Sequence, residues 1–380
     1  MSNPQHDQDI GRRLHQARKD AGISLQDAAG RVGFENYQVL SNIEKGTRPV
    51  RVWELVRIAR AYGRTATEFL EPERPLPELV LLWRQRTRQA RNRHYTAIIG
   101  HWLQEYNDLE GLAGFARPAF SPPSVTRRPQ NYDEVRELGA RYARQLGLGI
   151  RPAQILAQVL EQSQGVRILY LDLEECGSAV STRNEAGAVI AVNRSNAPWR
   201  RNFDIAHELF HLVTWNLYKP EEVHPDSNEK SQVEKYADTF ASALLLPAEA
   251  LRTEAAHRIR NNALSYLDLV ALARDFAVST DALLIGLRQV GLISQRNLDH
   301  ARRSRPYKDL DRDERRCDKD AHPPVSRRLL ELAYRGMQLG MVSRGKFCEY
   351  VGIPRGEIGH FLRNQGLEED VGVKGAIPTA

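Results

Sequence analysis

The sequence predicts an α+β protein, mainly α-helical. Three parts follow one another: an N-terminal five-helix bundle, a central domain with a few strands, and a helical C-terminal module. Three observations predict this. Short helical patterns separated by glycines fill residues 8–70, two or three strand-like stretches cluster between 166 and 193, and helical patterns return around H-E-L-F-H and over 231–246, 265–292 and 325–363. A length of 380 residues leaves room for two or three domains.

The first helix spans about Asp9–Ala21, with Ile10, Leu14 and Ala17 on one face and Gly22 ending it. Ser24 is a natural cap for Leu25–Val32, Asn36 for a third helix ending at Glu44, and two more follow at Val52–Tyr62 and Thr67–Leu70. The run E-P-E-R-P-L-P then marks a boundary. Glu78–Gly111 reads as one long helix, and the prolines of 115–130 as a linker. Helices are expected at Tyr132–Leu146 and Arg151–Gln164, strands at Val166–Leu173, Ser178–Thr182 and Ala188–Asn193. A helix carrying H-E-L-F-H comes next, then one from Ser231 to Leu246 and a helical pair over 265–292. Asp299–Asp320 is charge-dense and expected to be exposed, and Val325–Arg363 is helical again. The domain boundaries expected are 8–72, a connector and linker over 73–130, a central domain over 131–297, a charged linker over 298–324 and a C-terminal module over 325–366.

Composition narrows the function classes. No apolar run approaches the roughly 18 residues needed to span a bilayer, and the start M-S-N-P-Q-H-D-Q-D lacks the regions of a secretory signal. Cys176, Cys317 and Cys348 are too scattered for a disulfide framework or a cysteine zinc site. A cytoplasmic protein without membrane contact is the expectation. The net charge of +6 is modest, but residues 8–64 carry eleven Lys/Arg against six Asp/Glu, which makes nucleic acid a candidate partner. Arg84, Arg86, Arg88, Arg91 and Arg93 fall on several sides of the expected helix, which suits a solvated face more than a groove binder.

Two helices joined by a short turn, the second ending S-N-I-E-K-G, have the spacing of a helix-turn-helix. With T-R-P-V and R-V-W-E-L-V-R-I-A-R-A-Y-G after it, this stretch resembles the repressor-type (XRE/Cro/cI) family. The resemblance implies binding to double-stranded operator DNA, with Tyr37, Gln38 and Asn42 facing bases and Gln26, Lys45 and Arg48 meeting phosphates. A homodimer is compatible with such a head. Glu44 reads as a structural partner inside the bundle, and a bundle that binds protein instead of DNA is the alternative.

His207 and His211 lie four apart on one helix face, so both imidazoles can reach one ion, and Glu208 projects near the open position. Glu234 and Asp238 share a face of the next long helix. Glu234 then serves as third zinc ligand, Asp238 orients a ligating histidine, and Glu208 takes a proton from zinc-bound water. A salt-bridged helix pair without metal is the alternative.

The strand ending A-V-I-A-V-N, the segment F-D-I-A-H-E-L-F-H, and E-x-x-A-D-x-F-A followed by L-L-L-P resemble the ImmA/IrrE family of metallopeptidases over about 135–295. The resemblance implies a zincin-like domain with a small antiparallel sheet, Zn2+, Glu208 as general base, and ligands His207, His211 and Glu234. It implies cleavage of a repressor or antitoxin in a stress, mobile-element or toxin–antitoxin setting. Phe210 and Ala243 depart from the family's usual residues, Phe210 with a narrowed cleft as a consequence. Tyr218, His224 and Tyr236 are all open as oxyanion donors, and Arg200, Arg201 and Asn202, which precede the H-E-L-F-H helix, as surface or substrate contacts. The strand Ala188–Asn193 is a candidate edge for an extended peptide. A non-proteolytic transcription factor or antitoxin using the same fold to sense a ligand or partner is the competing function.

Overall fold

The computed structural model describes residues 4–64, 66–70, 82–83, 89–112, 114, 119–173, 177–184, 187–223, 230–315 and 324–368. The head holds α1 (Pro4–Asp20), α2 (Leu25–Val32), α3 (Tyr37–Glu44), α4 (Val52–Ala61) and α5 (Ala66–Leu70). The expected caps form: Ser24 Oγ accepts from Asp27 N at 3.1 Å, and Asn36 Oδ1 from Gln38 N at 2.8 Å. Gly33 ends α2 in the left-handed conformation that a side chain would resist. Leu14, Leu40, Ile58 and Phe69 close the bundle core.

Beyond the head come β1 (Leu82–Trp83) and α6 (Gln89–Leu112). The expected single helix from Glu78 is therefore corrected: it starts at Gln89, and Leu82–Trp83 is a strand. The apolar run L-V-L-L-W suits either state, and pairing decides it. Residues 84, 86 and 88 of the arginine cluster lie outside the described residues. The central elements are α7 (Tyr132–Gln145), α8 (Leu156–Ser163), β2 (Val166–Leu171), β3 (Ala179–Asn184), β4 (Gly187–Asn193), α9 (Pro198–Val213), α10 (Pro220–Val223) and α11 (Gln232–Leu245). A 3-10 turn at Pro152–Gln154 precedes α8, so the helix expected from Arg151 is shorter. Then follow α12 (Ala248–Ala256), α13 (Tyr266–Asp275), α14 (Thr280–Gln289), α15 (Gln295–Arg303) and α16 (Arg305–Arg315). The last two stand where a charged linker was expected, because Leu298, Ala301 and Tyr307 are buried beneath the charges. The C-terminal helices are α17 (Arg327–Gln338), α18 (Arg344–Val351) and α19 (Ile358–Asn364).

The α+β, mainly helical class is observed, with one correction to the sheet. Its strand order is β1-β3-β4-β2, and β2 pairs parallel to β4 while β3 pairs antiparallel. The sheet is mixed, and β4 is an interior strand, not the edge the sequence suggested. Its run A-V-I-A-V is buried on both sides, as an interior strand requires. Alternation sends Ile168, Ala179, Ile190 and Val192 toward Ile205 and Leu209 of α9. Leu169, Val180, Val189 and Ala191 face Ile99, Leu103 and Tyr106 of α6, with Leu330, Phe347 and Phe361 of the C-terminal helices. Among the described residues no helix is long and apolar enough to cross a membrane.

Candidate metal centre and nucleic-acid interface

Pro198 opens α9, where its missing N–H costs nothing. Three turns later His207, Glu208 and His211 are buried, at 0, 0 and 3% exposure. They face α11, whose first turn is set by Ser231 Oγ accepting from Glu234 N at 3.1 Å. That places Glu234 between the histidines: its carboxylate lies 3.3 Å from His207 Nε2 and 3.0 Å from His211 Nε2, and the two Nε2 atoms are 3.2 Å apart. The two Glu234 approaches lack hydrogen-bond alignment, so neither Glu234 oxygen has a hydrogen-bond partner, while the two imidazole Nε2 atoms stand within hydrogen-bond distance of each other. Lone-pair atoms this close repel unless a cation or proton lies among them. Zinc ligands at about 2.0–2.1 Å in a tetrahedron stand about 3.3 Å from one another, so the donor set fits that ion.

The surrounding charges are arranged for the same purpose. His207 Nδ1 lies 2.9 Å from Asp238 Oδ1, and Lys230 pairs with the other Asp238 oxygen. Burial opposes charging of His207, yet Asp238 and Glu234 outweigh it and raise its pKa to about 9. Burial disfavours the charged forms of the two acids as well, but both histidines hold Glu234 well below the usual carboxylate range, and His207 with Lys230 holds Asp238 at about 2. Glu208 is pushed up by burial against the pull of both histidines. Its Oε2 accepts from Ser181 Oγ at 2.6 Å, while Oε1 is buried without a hydrogen-bond partner. Sequence reasoning missed Ser181, although the alternation of β3 puts Ala179, Ser181 and Arg183 on one face. Lys230 was missed too.

Arg200, Arg201 and Asn202 fall in the first turns of α9, not before it. Arg200 reaches Asp204 at 3.2 Å, Arg201 donates to Arg194 and Asn196 carbonyls, and Asn202 donates to Ala277 O. These contacts fasten α9 in place. Phe210 is wholly buried on Phe240, in the core. Ala243 lies where α7 crosses α11 at Gly139. Of the oxyanion candidates, His224 lies outside the described residues and Tyr236 packs edge-on against Tyr132. Tyr218 stacks on Phe210 and buries a hydroxyl that has no hydrogen-bond partner.

In the head, Tyr37, Gln38 and Asn42 are exposed on α3, as are Gln26 and Lys45. Gln38 and Asn42 are one helical turn apart. Arg48 is partly buried and bound to Glu54 at 2.8 Å. Glu44 is the bundle's internal partner: Arg18 donates two hydrogen bonds to it, and Tyr62 donates one at 3.1 Å.

No curated protein matches this chain. Residues 161–288 match the peptidase family model described as IrrE N-terminal-like domain, a span that contains every group of the buried cluster. Residues 9–71 match a model described as helix-turn-helix domain. The chain therefore carries a helix-turn-helix DNA-binding domain followed by an IrrE-like, metallopeptidase-like domain, the arrangement that its motifs imply.

Proposed function

We propose that this chain is a cytoplasmic DNA-binding transcriptional regulator whose central domain is a zinc-dependent endopeptidase acting on a repressor- or antitoxin-class protein. One observation carries the reading. Three buried ligand atoms, from His207, His211 and Glu234, meet beside a buried carboxylate oxygen of Glu208 that has no hydrogen-bond partner. A zinc ion held by the three residues supplies Lewis-acid polarisation and a water nucleophile at neutral pH. Asp238 accepts from His207 Nδ1, which leaves Nε2 as the lone-pair atom. Ser181 fixes one oxygen of Glu208, so the other takes and returns the proton. Burial moves Glu208 toward the range where a general base works near neutrality, against the opposing pull of the histidines. The head brings the chain to an operator through Tyr37, Gln38 and Asn42, with Gln26, Lys45 and Arg48 on phosphates.

The test is metal analysis of the purified chain together with cleavage of repressors encoded beside its gene. The expected result is stoichiometric zinc in both wild type and Glu208→Gln, with cleavage at least about a hundred-fold slower in the variant. A chain without metal, or cleavage indifferent to Glu208→Gln, would refute the peptidase and favour a partner-sensing regulator.

A further inference from the structure

We infer that the outer edge of β3 holds an extended, apolar peptide, and that this chain's own Leu82–Trp83 segment is the resident occupant that such a peptide displaces. The inference rests on the peptidase reading above and adds a substrate class and a restraint to it. β4 is covered on both sides, so among the described residues the flank of the sheet at β3 offers backbone groups next to α9. The direction of those groups follows from one bond. Asn193 N donates to Ser178 O at 2.8 Å, so Ser178, Val180 and Thr182 turn their backbone groups toward β4. Ala179, Ser181 and Arg183 then turn theirs outward.

Ser181 is also the residue whose hydroxyl holds Glu208. A peptide added to this edge runs past the general base, with its main chain fixed by ladder bonds and its side chains read alternately. The position is taken: Leu82 pairs with Ser181 and Trp83 with Val180, antiparallel. Two residues give a short ladder, and hydrogen bonds exchanged with water contribute little each. The occupant is part of the same chain as the edge it covers, which keeps its effective concentration high. The two paired residues, Leu82 and Trp83, name the chemistry of the competitor: an extended segment that presents large apolar residues.

The experiment uses the full chain. Leu82→Pro removes the N–H facing Ser181, and Leu82→Gly keeps it while weakening the strand. Hydrogen exchange over residues 179–184 is expected to speed up in Leu82→Pro and less in Leu82→Gly, while 203–213 stays protected as a control for folding. A fluorescein-labelled peptide of residues 78–87 is then titrated into each chain in a Glu208→Gln background. It should bind the Leu82→Pro chain at least about ten-fold more tightly than the chain with Leu82. Unchanged exchange over 179–184, or equal affinities, overturns the inference. Neither readout needs metal or turnover. A chain that binds no zinc sinks the peptidase with the displacement still measurable, and a Glu208-dependent peptidase with unchanged exchange sinks the occupant alone.

Discussion

His207 lies against Asp238, Glu234 and His211 at once, and its protonation sets how the cluster takes up metal. Asp238 at its Nδ1 and the Glu234 carboxylate beside its Nε2 raise its pKa to about 9 despite full burial. A metal ligand must be neutral, so zinc binding expels a proton, and apparent affinity should rise about ten-fold per pH unit up to about pH 9 and flatten above it. Chelator competition across a pH series checks this; a flat profile would remove His207 from the ligand set. Asp238→Ala should lower zinc affinity about 10- to 100-fold, because the His207 ring loses the partner that fixes its tautomer. In the head, Gln38→Ala should weaken operator binding by about 1–3 kcal/mol and leave random DNA nearly unaffected at equal salt, measured by anisotropy. Equal losses on both would mean Gln38 reads no base. The His207–His211 and Glu234–Asp238 pairs were legible because helical spacing puts each on one face, and Glu208 from its place inside H-E-L-F-H. Ser181 was not, since its contact with Glu208 depends on how a strand sits on a helix 27 residues later in the chain.

Among the elements, α11 is the one whose placement matters most, and α7 sets it. The two helices approach so closely at Gly139 that a Cβ there would lie 2.6 Å from Phe240 O and 3.0 Å from the Ala243 side chain. Gly139→Ala must push α11 aside, which should cost about 1–3 kcal/mol in chemical denaturation. Because α11 carries Glu234, zinc affinity should fall with it; an unchanged unfolding midpoint would show that the crossing is slack. The small residue at 243 thus answers to the crossing with α7. The starts of α2 and α3 were readable because Ser24 and Asn36 cap them, whereas α15, capped by Ser294 in the same way, was hidden by the charge density of its surface. The strand at Leu82–Trp83 was not. Its apolar run has no periodicity to separate helix from strand, and its partner lies about a hundred residues away in a sheet whose mixed pairing no local pattern announces.

Across the whole molecule, α6 joins the parts. Near its start His94 packs against Gly63 of the head, and further along Tyr106 and Leu109 enter the core shared by the sheet and the C-terminal helices. That seam is closed by polar groups. Glu161 of α8 is buried, accepts from Ser326 Oγ and from Ile168 N at 3.3 Å, and takes a backbone N–H from Arg328 at the start of α17. Burial outweighs these donors and raises its pKa to about 7. A carboxyl whose folded pKa exceeds its unfolded value favours the fold fully below the unfolded value, near 4.5, and loses that contribution as pH rises through about 7. The loss should amount to about 3 kcal/mol. Glu161→Gln keeps a neutral group at the seam, so its stability should lack this slope. Urea denaturation at pH 5 and pH 8 checks it: the variant should gain on wild type by about that amount at the higher pH. An equal gap at both would mean that Glu161 is already ionised at pH 5, and that its three donors, not burial, govern the joint between the central domain and the C-terminal helices.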